Sequence, residues 1–260
     1  MKLHGYFMLT LALGAAPATA QTKPDEDTDF ATLQHTNADG VTLLYRLLKP
    51  GDDGAGKKRP LLLFLHGAGE RGSDNQAQLK WGKEMMRTVA KQYGCFVLVP
   101  QCPREKKWAE VDWSKSAHKM PKEVSQSMGL TLEVIAKLKR QYPIDPDRLY
   151  VMGLSMGGYG TWDIIQRCPE MFAAAVPICG GGDETGAERI KTPVWAFHGD
   201  QDRAVPVGRS RNMIAAIKAA GGKPRYTEYP GVGHNCWSTT FKNAEMLKWL
   251  FSQKRSAKGS

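Results

Sequence analysis

Arg148-Leu149-Tyr150-Val151-Met152-Gly153-Leu154-Ser155-Met156-Gly157-Gly158-Tyr159-Gly160 decides how this chain is read. Its first five residues are an apolar run suited to a buried strand. The residues from Tyr159 through Ile165 read as the start of a helix. Between them, Gly153-Leu154-Ser155-Met156-Gly157-Gly158 is a glycine-flanked serine at a strand-to-helix junction. A turn that sharp leaves no room for a Cβ on its neighbours and holds the serine in a strained conformation. The strain pushes Ser155 Oγ out past the end of the sheet, within reach of a substrate and a histidine.

Working outward, strands and helices alternate. Ala31–Thr36 and Val41–Leu48 flank the turn dipeptide Asp39-Gly40 and predict a hairpin. Pro60–Leu65 is an apolar run of parallel-strand type. A helix over Lys83–Tyr93 ends at Gly94, and a strand follows at Cys95–Val99. Residues 103–121 form an irregular insertion holding Trp108 and Trp113. A long helix is expected over Lys122–Tyr142, with Val124, Met128, Leu132, Ile135 and Leu138 at helical spacing. After the serine turn come a helix to about Cys168, strands at Ala173–Ile178 and Pro193–Phe197, and a helix over Val207–Ala220. A last strand at Arg225–Tyr229 and a last helix at Thr240–Phe251 complete the pattern. The fold class is α/β, with a mostly parallel central sheet and helices on both faces.

The chain has 260 residues, 42% hydrophobic and 24% charged, which suits one large α/β domain over residues 30–253. Residues 1–20 stand apart. A short polar start, an apolar run from Tyr6 to Ala16 and the small residues Ala18 and Ala20 read as a secretory signal peptide cut after Ala20. That predicts a secreted or periplasmic mature protein, and no later stretch is apolar enough for stable membrane insertion. Residues 21–29 read as a flexible N-terminus and residues 254–260 as a basic flexible tail.

The formal charge is +10. The basic residues are scattered, apart from Lys57-Lys58-Arg59, Lys106-Lys107 and the tail, so a nucleic-acid partner is not expected. Five cysteines in an exported chain leave at least one unpaired. Cys179 and Cys236, each just past a predicted element near the serine, are the best candidate disulfide pair. Cys95 reads as a small core residue.

Chemistry at Ser155 needs a base, an acid and donors for an oxyanion. Of six histidines, His234 lies between the last strand and the last helix, in Pro230-Gly231-Val232-Gly233-His234. His66 and His198 end strands beside glycines and suit hydrogen bonds to their own loops. His35 and His118 stand alone in polar stretches, and His4 lies in the leader. The acid belongs in His198-Gly199-Asp200-Gln201-Asp202. Asp200 and Asp202 both qualify by spacing, and the turn before Asp202 favours aiming it at the histidine, with the other aspartate bracing the loop. The Gly-rich stretch Leu65-His66-Gly67-Ala68-Gly69-Glu70-Arg71-Gly72 can turn its amides to a carbonyl oxygen. Ala68 N–H and Met156 N–H are the expected oxyanion donors. Glu70 and Arg71 read as loop braces.

These four stretches together resemble the esterase branch of the α/β-hydrolase superfamily. The likeness is strongest to the phospholipase/carboxylesterase-like group known as predicted peptidases, related to polyhydroxybutyrate depolymerases and feruloyl esterases. It covers most of the chain after about Asp29. In that group the second aspartate of His-Gly-Asp-x-Asp is the triad acid, which matches Asp202. The residue after His-Gly gives an oxyanion N–H, which matches Ala68. The resemblance implies a Ser155-His234-Asp202 triad, an acyl-enzyme, a small-molecule or polymer-linked ester substrate, and no metal or cofactor. Acetyl or feruloyl esters of carbohydrate or plant polymers are the favoured class. Trp108 and Trp237 are candidate substrate-binding walls, with Trp113 a weaker one. A serine peptidase with the same triad and a non-catalytic binding protein on the same scaffold are the alternatives. The complete set of residues argues against the second.

Overall fold

In a computed structural model, the structure describes residues 27, 29–51, 56–113 and 115–255. The expected leader at 1–20, nearly all of segment 21–29 and residues 256–260 of the tail lie outside the described residues.

Eight strands form one sheet: β1 (Phe30–Thr36), β2 (Thr42–Leu48), β3 (Arg59–Leu65), β4 (Phe96–Gln101), β5 (Ile144–Leu154), β6 (Ala174–Ile178), β7 (Trp195–Gly199) and β8 (Arg225–Tyr229). Their order is β1-β2-β4-β3-β5-β6-β7-β8. The β1–β2 hairpin and the β2–β4 pairing are antiparallel, and the six strands from β4 to β8 run parallel. The helices are α1 (Lys83–Tyr93), α2 (Gln126–Gln141), α3 (Met156–Arg167), α4 (Gly208–Ala219), the single turn α5 (Trp237–Thr240) and α6 (Ala244–Ser252). This is the α/β class read from the sequence.

The continuous apolar runs of the central strands divide by parity between two cores. Leu61, Leu63 and Leu65 of β3, Leu98 of β4 and Leu149 and Val151 of β5 face a layer built from Met128, Ile135 and Leu138 of α2, Trp162 of α3 and Met213 of α4. Leu62 and Phe64, Val97 and Val99, and Tyr150 and Met152 face Met86 and Val89 of α1 and Met246 and Leu250 of α6. Successive side chains of a strand point to opposite faces, so an unbroken apolar run is what a sheet covered on both sides requires.

Several boundaries differ from the sequence reading. The helix expected from Lys122 starts at Gln126, because Ser125 caps it: its Oγ accepts the Met128 N–H at 3.1 Å and donates to Trp108 O at 2.8 Å. Val124 therefore lies outside the helix and is exposed. The helix expected from Thr240 begins instead at Ala244, where Asn243 Oδ1 accepts the Met246 N–H at 3.0 Å. The helix over Lys83–Tyr93 stands as read, closed by Gly94 in the left-handed region at φ 58°.

The proposed Cys179–Cys236 disulfide is absent: all five cysteines are free thiols. The two side chains do touch, and both are fully buried.

The central strands end at one edge, where Ser155 sits with φ 52° and ψ −116°. Its N–H donates to Ile178 O at 2.9 Å, tying the turn to β6. A Cβ on Gly157 would collide with the Leu65 carbonyl, so α3 leaves the turn pressed against β3. Gly157→Ala is expected to cost about 1–3 kcal/mol by overpacking. A thermal melt should show a clear fall in Tm, and an unchanged Tm would contradict this packing.

Candidate active site

Ser155, Asp202 and His234 come from three separate junctions on the same sheet edge: β5–α3, β7–α4 and β8–α5. His234 Nε2 lies 2.9 Å from Ser155 Oγ, and His234 Nδ1 lies 2.7 Å from Asp202 Oδ2. A carboxylate only accepts, so Nδ1 carries the proton and Nε2 is left to accept from the serine hydroxyl. Asp202's side chain is fully buried, while His234 is 27% exposed, opening the base to the surface.

The two loops carrying acid and base are stitched together. Gln201 N–H donates to Val232 O at 3.0 Å, and a Cβ on Gly199 would strike Val232 O. Asp200 Oδ1 accepts the Gly231 N–H at 2.7 Å. Of the two aspartates open by spacing, Asp200 therefore braces the histidine loop and Asp202 meets the histidine.

Asp202 is saturated with donors. Oδ1 accepts the N–H groups of Ala204 and Val205, each at 2.8 Å. Oδ2 faces both His234 and, at 3.2 Å, His198 Nε2. Burial pushes its pKa up, but hydrogen bonds from His198, His234 and Val205 outweigh that and hold it far below the ordinary carboxylate range. The buried acid is therefore an anion at any pH near neutrality.

The oxyanion loop is locked from several sides. His66 Nε2 accepts the Cys102 N–H at 3.0 Å, so Nδ1 carries the ring proton and donates to Gly67 O at 2.6 Å. Burial lowers the His66 pKa to about 4, which keeps it a neutral structural ring. Arg71 Nε donates to Ala68 O at 2.9 Å, and Trp81 Nε1 donates to the buried Glu70 carboxylate at 3.0 Å. Burial raises the Glu70 pKa against that bond. Both residues brace the loop, as read from the sequence. Ala68 opens a 3₁₀ turn and Met156 opens α3. First-turn N–H groups have no partner within their own helix, and the α3 dipole favours an anion at its N-terminus.

Trp108 corrects the sequence reading. It is fully buried, its Nε1 donates to His66 O at 3.0 Å, and its ring meets His66 edge-on at 5.2 Å. A Cβ on Gly160 would strike it, so a glycine makes the hole it fills. It packs the oxyanion loop from behind and offers no face to a substrate. Trp237, also read as a substrate wall, is buried too: it packs against His234, ring centroids 5.3 Å apart at 88°, and against Trp81 at 5.9 Å, and belongs to the core beside α6. Trp113 is half-buried, with Lys107 Nζ 4.8 Å from its ring centre.

Two histidines read as solitary have partners: His35 bonds Glu133 at 2.7 Å, and His118 bonds the buried Arg209. The residue that sequence reasoning underrated is His198. Its loop role was expected, but its contact with Asp202 was not. The signal was its place four residues before Asp202 at a strand end.

Among the described residues, the group of side chains with metal-ligating chemistry is Cys179, Asp202 and His234, with ligand atoms within 4.8 Å of one another. Two of its three members are already joined by the acid–base hydrogen bond. No described helix is long and apolar enough to cross a membrane.

A model of the dienelactone hydrolase family matches residues 77–248. The chain belongs to the dienelactone hydrolase family. The match spans the serine turn and both loops that carry Asp202 and His234, and begins after the oxyanion loop. Among solved structures, a thermostable esterase is 41% identical with a TM-score of 0.80, over 88% of this chain and 64% of that one. A bifunctional acetylxylan esterase/xylanase of Neocallimastix patriciarum is 31% identical over 139 residues, covering 54% of this chain and 18% of the relative. A poly(3-hydroxybutyrate) depolymerase of Ralstonia pickettii is 32% identical over 124 residues, covering 45% of this chain and 24% of the relative. The chain thus spans a quarter or less of those two relatives. The family and the α/β-hydrolase fold agree with the resemblance carried by the motifs.

Asp202's depressed pKa has a consequence for stability. Its stabilising bonds are fully present above the unfolded carboxylate's pKa of about 4 and are lost as pH falls through the lower folded value. Wild type should have a higher urea midpoint than Asp202→Asn above about pH 4, and the gap should shrink progressively as pH falls from there toward the lower folded value. A gap that closes well above about pH 4 would contradict the assignment.

Proposed function

We propose that this member of the dienelactone hydrolase family is an exported serine esterase that cleaves carboxylic esters through an acyl-enzyme. The observation that carries the reading is the hydrogen-bonded series from Ser155 Oγ through His234 to Asp202, at 2.9 and 2.7 Å, on a strained turn.

Each step follows from an atom already described. Ser155 Oγ attacks the ester carbonyl carbon as its proton passes to His234 Nε2. Asp202 stays ionised and stabilises the imidazolium through Nδ1–H. The Ala68 and Met156 amides receive the oxyanion. The C–O bond to the alcohol then breaks, and His234 returns the proton to the leaving oxygen. Water attacks the acyl-enzyme by the same route and frees the acid and Ser155.

Esters borne on carbohydrate or plant polymers are the proposed substrates. The partly exposed His234 supports this, together with the similarity to a relative named for acetylxylan esterase activity. The apolar run and small residues of the first twenty positions support export.

The purified mature protein should hydrolyse p-nitrophenyl acetate and butyrate. Ser155→Ala should abolish turnover, and Asp202→Asn should lower it about 10⁴-fold, as in other such triads. Full activity in Ser155→Ala would rule the mechanism out. Turnover of peptide amides without esters would make the protein a peptidase.

A further inference from the structure

His198 is fully buried at the end of β7, and no step above uses it. Its ring contacts fix where its proton sits. Nε2 lies 3.0 Å from Val205 O and 3.2 Å from Asp202 Oδ2. Both are acceptors, so Nε2 must carry a hydrogen. Nδ1 lies 2.7 Å from Ser210 Oγ, and Ser210 Oγ lies 3.2 Å from Gly180 O. Ser210 Oγ holds the Nδ1 end of the ring in place, and the two acceptors fix a hydrogen on Nε2. His66, also buried at a strand end beside glycine, carries its hydrogen on Nδ1 instead.

We infer that His198 is a positioning residue for the triad: its Nε2–H, shared between Val205 O and Asp202 Oδ2, aims the carboxylate at His234 and withdraws part of its basicity. The inference rests on the esterase reading above. Asp202 must orient and stabilise His234 without taking its proton. A second donor on the same oxygen achieves this. It also prevents the carboxylate from rotating about its Cβ–Cγ bond, since Oδ1 is already held by two backbone amides.

The other titratable and charged groups around this cluster are Cys236 from the loop after β8, Cys179 from the end of β6, Tyr159 from α3, Arg209 from α4 and Glu228 from β8. Burial pushes the Cys179 thiol and the Tyr159 hydroxyl up. Arg211 holds Glu228 at about 2. These three keep one charge state across the neutral range, so an acid limb there reads the imidazoles beside Asp202.

Two substitutions separate the two ends of the ring. His198→Asn keeps a group near Ser210 and loses the reach to Asp202. His198→Gln places an amide N–H where Nε2 stood. His198→Asn should lower kcat/KM on p-nitrophenyl butyrate about tenfold, the worth of a hydrogen bond to a charged group. Its acid limb should move to higher pH, because a more basic Asp202 favours the His234 imidazolium. His198→Gln should recover most of both. Equal losses in the two variants, or an unmoved acid limb in both, would overturn the inference. Should His198→Asn fail to fold, Ser210→Ala, which removes the partner of Nδ1 that holds the ring, must shift the limb the same way by less, and no shift overturns the inference. Imidazole ¹⁵N shifts test it apart from esterase activity. A protonated Nε2 at His198 is expected, and a bare Nε2 would overturn the inference.

Discussion

The geometry depends first on how little space surrounds the serine turn. Ser155 holds a positive φ, and α3 leaves it so tightly that Gly157 lies against the Leu65 carbonyl of β3. The turn is also hydrogen-bonded to Ile178 of β6. Three neighbouring strands thus meet at one residue. A residue in such a conformation costs on the order of 1–3 kcal/mol, and it persists only when its surroundings leave no alternative. The two-sided core supplies that constraint, since β3, β5 and β6 are buried on both faces.

Once that turn is fixed, the acid becomes the second fixed point. Asp202 is buried, which is tolerable because two backbone amides and two imidazoles meet its oxygens. The loops bearing Asp202 and His234 hold each other through Gln201, Val232, Asp200 and Gly231. The base is therefore held from below by the acid, from the side by Trp237, and in front by the hydroxyl it would deprotonate.

Much of this was legible in the sequence for identifiable reasons. Parallel strands covered on both faces are apolar without interruption, so 60–65 and 148–152 declared themselves. A strained turn and close loop contacts demand glycine, so Gly153, Gly157 and Gly199 marked the edge. What stayed hidden was determined by contacts between distant segments. Trp108 looked like a rim aromatic because nothing local shows that Gly160, over fifty residues away, opens a hole for it. The starts of α2 and α6 are set by single capping side chains, Ser125 and Asn243, which hydrophobic periodicity does not register. Asp200 and Asp202 could not be separated by spacing alone, since the difference lies in which loop each meets. Cys179 and Cys236 were rightly placed near each other, yet they meet as thiols.

The central claim is that Ser155 is the nucleophile that His234 activates. The direct measurement is intact-protein and peptide mass spectrometry after exposure to a p-nitrophenyl alkylphosphonate, which phosphonylates an activated serine irreversibly. The account predicts a single adduct on the peptide containing Ser155, formed with stoichiometric p-nitrophenol release and lost in His234→Ala. An adduct on another residue, or ester hydrolysis that survives full modification of Ser155, would contradict it.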